Sequence, residues 1–371
     1  MFIYAKLFDM LISGLALAIV SQSADKPALR GLDPVALTRG MELRGKSILK
    51  AQYLRYTYTF ATQENLDTFL NDKVKYSIQL GGACGSMGPL SGKGNPDRFT
   101  VTDHKIYIFA SNSCQKTFNS NRKLFTQFVP TKPKELLGTV EQGLKSWEAA
   151  RSAHGIPEKT QLGLVWIHDL PYTQNGQTKI WRELYSLSGI ESFFQHHFTV
   201  GTEGFFTGIG ENTSWETDGS ESFSLHPSER NMLRGTFLRH PYALLKSPSS
   251  SILGGEFGKK LLDGTATYSF TINVKGVLTN VFLNESTKQI DSIEYTDYYK
   301  GRIQPVTRKF LEYKIDQGVS IPIKWVTGTV QGESIKWDDE YVVQSNFSGT
   351  PYAPYTWIPD GFDPSTIDID P

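Results

Sequence analysis

Tyr58-Thr-Phe60-Ala61 and Tyr107-Ile-Phe109-Ala110 carry one phrase twice, forty-nine residues apart, and reading them as copies decides the front of the chain. At the same offset Thr68-Phe69 falls on Thr117-Phe118, Lys73 on Arg122 and Tyr76 on Phe125, with no gap. Each copy reads as an aromatic strand leading into a short helix, and an internal repeat fixes the unit that folds. The copies differ in chemistry. Asn65 in the first becomes Cys114 in the second, which is preceded by Gly81-Gly82-Ala83-Cys84-Gly85-Ser86-Met87. Both cysteines of the protein therefore fall in the second unit.

The totals bound what surrounds this repeat. A chain of 371 residues suits two domains better than one. Lys+Arg and Asp+Glu both count 38, so the formal net charge is zero. Nucleic-acid binders carry a basic stripe, and this balance argues against such a partner. Hydrophobic residues at 39% are enough for real cores, and 33 glycines with 18 prolines suit a turn-rich β protein.

The N-terminus reads as an export signal over residues 1–23. Lys6 gives a weakly positive start, Met10 to Val20 is an apolar run of eleven residues, and Ser21-Gln22-Ser23 supplies small residues before a cleavage point at Ala24. A spanning helix needs about 20 apolar residues, so no transmembrane span is expected. No cysteine follows the run, which argues against a lipid anchor. The expected location is periplasmic or secreted. In an oxidising compartment two thiols most often pair, and a closed loop of this size stabilises by on the order of 3 kcal/mol. A soft-metal site and a pair of free buried thiols are the other two readings.

Gly31-Leu-Asp33-Pro34-Val35-Ala36 opens the first domain. Tyr53 to Phe60 then reads as a strand, and Glu64 to Leu70 as a helix with Leu66, Phe69 and Leu70 at helical steps. In the second unit Arg98 to Val101 and Ile106 to Phe109 read as a hairpin around Asp103-His104, followed by a short helix from Ser113 to Asn119. Taken in order, Gly31-x-Asp33-Pro34-Val35, Tyr58-x-Phe60-Ala61, Phe69, Tyr76 and Gly82-x-Cys84 resemble the YHS domain, a family related to the cysteine-rich TRASH metal-binding modules. The resemblance spans roughly residues 30 to 127. It implies that Ala36 and Ala61 stand where cysteines would be, so that the first unit has lost any metal chemistry. It further implies that Cys84 and Cys114 line one small site to which Met87 adds a thioether, while Ala110 has replaced a third cysteine. Such a set suits copper better than four-coordinate zinc.

Pro130 to Pro133 closes this domain, and Lys134 to His154 reads as one amphipathic helix stopped by Gly155 and Pro157. From Gln161 onward the texture changes to strands divided by Gly, Asn and Asp turns. The strands expected are Leu162 to Leu170, Ile180 to Ser186, Glu191 to Val200, Gly204 to Gly208, Thr265 to Val274, Gly276 to Leu283, Ile290 to Lys300, Thr307 to Ile315, Ile321 to Val330 and Ser334 to Asn346. Trp215-Glu-Thr-Asp218-Gly219 reads as a turn with a strand before it, and Ser228 to Leu245 as helical with a break at Pro241. The order Trp215-Glu-Thr-Asp-Gly, Pro227-Ser-Glu-Arg, His240-Pro-Tyr-Ala-Leu-Leu, Gly318-Val-Ser-Ile-Pro-Ile and Val342-Val-Gln-Ser-Asn346 resembles the LolA-like periplasmic lipoprotein-carrier superfamily. That likeness implies an open half-barrel whose concave face holds an acyl chain or another apolar ligand.

The fold class expected is therefore α+β: a small YHS-like domain over 24–129 with a duplicated strand–helix unit, a helical connector over 130–158, a large curved antiparallel β-sheet with a helical plug over 159–350, and a Pro/aromatic-rich tail over 351–371. The candidate metal residues are Cys84, Cys114 and Met87, with copper as the possible cofactor. Trp181, Phe205, Phe206, Tyr268 and Phe270 are the candidates for a ligand cavity, with closed sandwich core as their alternative. Neighbours on a strand face opposite ways, so His196 and His197 would not share an ion. His226 and His240 each precede proline and suit caps or turns, and His154 suits a helix C-terminus where a cation meets the dipole. No Gly-x-Ser-x-Gly elbow, phosphate loop or HExxH motif occurs, so no enzyme chemistry is expected. The expected function is an exported non-enzymatic protein that carries or senses an apolar, lipid-like ligand, its front domain serving as an interaction or metal module. Another envelope protein is a possible partner. The alternative is a periplasmic copper-binding protein using Cys84 and Cys114.

Overall fold

The computed structural model of the chain describes residues 26–126, 138–158, 163–188, 192–199, 204–210, 214–217, 222–261, 265–331 and 334–348. The expected signal peptide over 1–23 and the tail over 351–371 lie outside the described residues.

The front domain is assembled twice from the same parts. Asp33 caps helix α1 (Pro34–Thr38), its carboxylate accepting from Val35 N and Ala36 N, with proline in the first turn where a missing N–H costs nothing. Strands β1 (Lys46–Tyr53) and β2 (Tyr56–Phe60) pair antiparallel. The single strand expected over Tyr53 to Phe60 is thus half of a hairpin, because Leu54 turns the chain at φ +51°. Helix α2 (Gln63–Asn71) starts where the Thr62 hydroxyl accepts from Asn65 N, and α3 (Lys73–Tyr76) follows. Forty-nine residues on, β3 (Asn95–Thr102), β4 (Lys105–Phe109), α4 (Asn112–Ser120, capped by Ser111) and α5 (Arg122–Thr126) repeat the series. The repeated phrase is the repeated core. Phe69 lies 5.0 Å from Tyr58 and 5.1 Å from Phe60, and Phe118 lies 5.1 Å from both Tyr107 and Phe109.

Of the connector expected over 130–158, residues 130–137 lie outside the described residues. Helix α6 (Val140–Ala153) begins where the Thr139 hydroxyl accepts from Gln142 N, and Thr139 itself is extended, so the described helix does not run back to Lys134. His154 caps its far end, but as a neutral pin and not as a cation. Its Nδ1 meets Ser320 O at 2.8 Å, Ile290 N donates to its Nε2 at 3.0 Å, and burial pulls its pKa down.

Beyond it, β5 (Gly163–Gln174), β6 (Gln177–Ser188), β7 (Ser192–Thr199), β8 (Phe205–Ile209), β9 (Ser214–Thr217) and β10 (Ser222–Ser224) form one meander. Trp215-Glu-Thr, expected at a turn, is β9. Two helices follow, α7 (Pro227–Leu238) and α8 (Pro241–Lys246), N-capped by His226 and His240 in the roles the prolines suggested. A second meander runs through β11 (Ile252–Lys260), β12 (Ala266–Val274), β13 (Val277–Leu283), β14 (Ile290–Tyr299), β15 (Arg302–Asp316), β16 (Val319–Gln331) and β17 (Ser334–Ser348). The order β10-β9-β8-β7-β6-β5-β17-β16-β15-β14-β13-β12-β11 joins both into one antiparallel sheet of 13 strands. Strand β11 has no counterpart among the expected strands.

The sheet wraps its own helices. Phe237 and Leu238 of α7 and Tyr242, Leu244 and Leu245 of α8 share one core with Leu164 and Trp166 on β5, Ile293 on β14, Phe310 on β15 and Val281 on β13. Strands that far apart in order meet the same two helices only if the sheet curves around them, and the face they share is the concave one. The fold is therefore mostly antiparallel β, a large curved sheet with few helices.

Candidate functional site

Register settles which side chains face inward. Trp166 pairs with Tyr185, Tyr185 with Gln195, and Gln195 with Thr207. Because Trp166 and Tyr185 both contact Phe237 of α7, this row lies on the concave face. Steps of two along each strand put Trp181 and Glu183 of β6, His168 of β5, His197 of β7 and Phe205 of β8 on the same face. From the other side, Phe270, Val281, Ile293, Arg308 and Thr327 align across β12 to β16.

The five expected cavity residues separate under this geometry. Trp181 is half-buried on the concave face, its ring 6.0 Å from that of His197. The backbone of Phe205 is placed there too, opposite His197, while its side chain lies outside the described ones. Phe206, one residue on, faces the convex side and cannot share the site. Phe270 is 1% exposed inside the core, so it is packing and not lining. Tyr268 is half-buried at the far end of the sheet, where the Lys288 ammonium sits 3.6 Å from its ring centroid, and Trp181 lies many strands away.

What gathers around Trp181 is a polar cluster that the apolar reading passed over. The Glu183 carboxylate accepts from the Tyr185 hydroxyl at 2.9 Å and meets His168 Nδ1 at 3.4 Å. Burial opposes its charge, but the His168 hydrogen bond and the neighbouring His197 and Tyr185 outweigh that and hold its pKa at about 2. Gln195 reaches His197, whose own pKa burial pulls down, and the His168 ring lies 4.8 Å from Tyr341. Stacked pairs Trp166–Tyr185 and Trp325–Tyr341, with ring centroids at 5.1 and 5.7 Å, flank this cluster. The Glu183 side chain keeps 18% exposure, and Tyr185, Tyr295 and Tyr341 are only half-buried although each packs on the core. Water therefore reaches the concave face between β6 and β14. Polar residues at every second position, His168, Glu183 with Tyr185, and Gln195 with His197, were the signal available in the sequence.

The second candidate site lies in the front domain, where Cys84, Cys114 and Met87 do come together with Phe118 and Tyr107. The thiols are unbonded to each other. Cys84 is buried, its Sγ 3.4 Å from Ser86 Oγ, and burial raises its pKa against hydrogen bonds from Ser86 and Ala110 N. Cys114 is half-buried in the first turn of α4. Burial works against its thiolate, but hydrogen bonds with Ser111, Ser86 and Cys84 lower its pKa overall. Among the described residues no group of three or more His, Cys, Asp or Glu is placed to hold a metal ion, so copper has no support beyond this pair and Met87.

The two copies explain what the pair replaces. Asp33 N donates to Leu43 O and Gly45 N to Gly31 O; in the second copy Cys84 N donates to Gly92 O and Gly94 N to Gly82 O. Cys84 thus stands where Asp33 does. In the first copy the Asp33 carboxylate accepts from Asn65 Nδ2 at 2.8 Å and from Ala61 N at 2.7 Å. The buried Asp33–Asn65 hydrogen bond has become Cys84–Cys114. The constant offset hides this, because the stretch from Asp33 to β1 is two residues longer than that from Cys84 to β3.

A third cluster joins the domains. Lys93 Nζ reaches Glu229 at 2.7 Å, Glu216 at 3.0 Å and Gly81 O at 3.1 Å, and Arg55 pairs with Glu216.

The fold so described defines a class: a curved antiparallel sheet wrapped round short helices, with a wet aromatic strip on its concave face. No protein-family profile matches the chain, and no curated protein matches it. Among solved structures, a LolA superfamily protein from Nitrosomonas europaea shares 12% identity over 58% of this chain and 97% of its own, with a TM-score of 0.35. A putative outer membrane lipoprotein-sorting protein domain from Vibrio parahaemolyticus shares 14% over 58% and 97%, with a TM-score of 0.37. A DUF1329 family protein from Desulfovibrio piger shares 9% over 57% and 92%, with a TM-score of 0.33. No helix among the described residues is long and apolar enough to cross a membrane.

Proposed function

We propose that the protein is an exported, non-enzymatic carrier that holds an apolar, lipid-like ligand against the concave face of its sheet. One observation carries the reading: Tyr185, Tyr295 and Tyr341 pack on the main core yet are not fully buried, on an inward-facing surface. Aromatic area left wet inside a concavity is what an apolar ligand covers, with a few polar groups such as Glu183 fixing its orientation. The front domain, YHS-like in its sequence blocks, is an interaction module docked beside that face through Lys93 and Arg55. Residues 1–23 direct export, and another envelope protein receives or delivers the ligand.

Native mass spectrometry of the purified chain tests this. A co-purifying lipid mass that disappears on delipidation, followed by uptake of a fluorescent fatty acid, is the expected result. A chain that carries no lipid and takes up no acyl probe overturns it.

A further inference from the structure

The structure assigns Cys84 and Cys114 as a reversible dithiol that closes to a disulfide by exchange with an organic disulfide, Cys114 attacking and Cys84 resolving. The assignment is independent of what the sheet carries. It begins with the two copies. One scaffold holds two pairs at equivalent places, Asp33–Asn65, which is buried, and Cys84–Cys114, of which Cys84 is buried and Cys114 half-buried. The first pair is a hydrogen-bonded clamp that cannot be oxidised. The second keeps the clamp's geometry, including the backbone donor Ala110 N in the place of Ala61 N, and makes it redox-active.

The two thiols divide the work by position. Cys114 is half-buried, and its own N–H donates to Ser111 Oγ in the first turn of the nine-residue α4. Helix N-termini favour the thiolate, which is the attacking form. Cys84 is 0% exposed and within hydrogen-bond reach of Cys114, so an external disulfide cannot reach it while the Cys114 sulfur can. The Cys114 thiolate attacks one sulfur of the organic disulfide, forms a mixed disulfide and releases one thiolate. Cys84 gives its proton to that departing thiolate and attacks the Cys114 sulfur, expelling the second thiolate, which takes a proton from water. Two electrons pass to the oxidant, and dithiol plus RSSR becomes protein disulfide plus two RSH.

The segment that carries Cys84 lies against the domain junction. A Cβ built on Gly301, between β14 and β15, would lie 2.3 Å from Ser86 O, and Tyr298 packs on the Cys84 cluster. Closing the disulfide therefore acts on the contact between the domains.

The test exposes the full-length chain to graded ratios of oxidised and reduced glutathione, then counts thiols after denaturation and weighs the intact protein. Wild type should pass from two thiols to none and retain no glutathione. Cys84→Ser should stop as a glutathione adduct on Cys114, and Cys114→Ser should react on the order of tenfold more slowly. Polar replacements suit these places, since the first copy carries Asp33 and Asn65 there; the wild-type arm decides alone should a variant not fold. A glutathione adduct that persists on wild type overturns the assignment, as do two thiols that survive saturating oxidant. So does Cys114→Ser reacting as fast as Cys84→Ser.

Discussion

Trp181, Phe206 and Phe270 are three aromatic residues on predicted strands, and the structure gives them three separate tasks. Trp181 faces the wet concave strip, Phe206 the convex side, and Phe270 the closed core. Trp181→Ala should weaken uptake of a fluorescent fatty acid by roughly tenfold, about 1.4 kcal/mol, while Phe206→Ala leaves it unchanged. Phe270→Ala should cost about 3–5 kcal/mol of stability in urea denaturation. Equal binding losses at Trp181 and Phe206 would contradict the facing read from the register. Glu183 belongs at this scale as well. Its pKa of about 2 lies below the ~4.3 of a free glutamate, so its contribution is whole above the free value and is lost as pH falls through the folded one. The thermal midpoint of wild type should drop more steeply than that of Glu183→Gln as pH falls from about 5 toward 2. Parallel curves would show that the carboxylate gains nothing from His168.

Helix α6 and strand β11 approach too closely for ordinary side chains. A Cβ on Gly143 would lie 2.4 Å from Gly254 O, and Ser146 Oγ donates to Glu256 O at 2.5 Å beside it. In an exposed helix Gly→Ala gains about 1 kcal/mol. Here Gly143→Ala should lower the thermal midpoint instead, and a gain in a calorimetric scan would show that the contact has room. The same contact explains what the sequence did not disclose. Gly254 and Gly255 remove the alternation by which a strand is recognised, so β11 was invisible, whereas β12 to β17 stand out through rows such as Tyr268, Phe270 and Ile272. The front duplication was legible because its core is spelled by aromatic residues at constant spacing. The equivalence of Cys84 with Asp33 was not, since it lies across a two-residue shift and connects unlike side chains. The alternation that puts Glu183 and Tyr185 on one face was legible, but their meeting with His168 and His197 was not, because these come from three strands and no local spacing records a register.

The halves of the molecule are joined by charge. Glu229 has no exposed side chain, Glu216 is 10% exposed, and Lys93 serves both. Lys93→Met would leave two buried carboxylates facing one another, of which Arg55 reaches Glu216. Breaking one side of such a network costs about 3–5 kcal/mol, which urea denaturation should register. A loss under about 1 kcal/mol would place these groups in the class of surface pairs.

Strand β17 lies between β5 and β16, so among the described residues the two meanders are hydrogen-bonded into one sheet through residues 334–348. A ribosome that has delivered everything before Ser334 has produced two half-sheets, each with a bare ladder of amides awaiting the same missing piece. Bare ladders recruit strangers, and until the keystone arrives the nascent chain is most exposed to aggregation. Its maturation thus hinges on a late arrival, and a premature stop ahead of that strand should yield inclusion bodies where a nick in a surface turn would not.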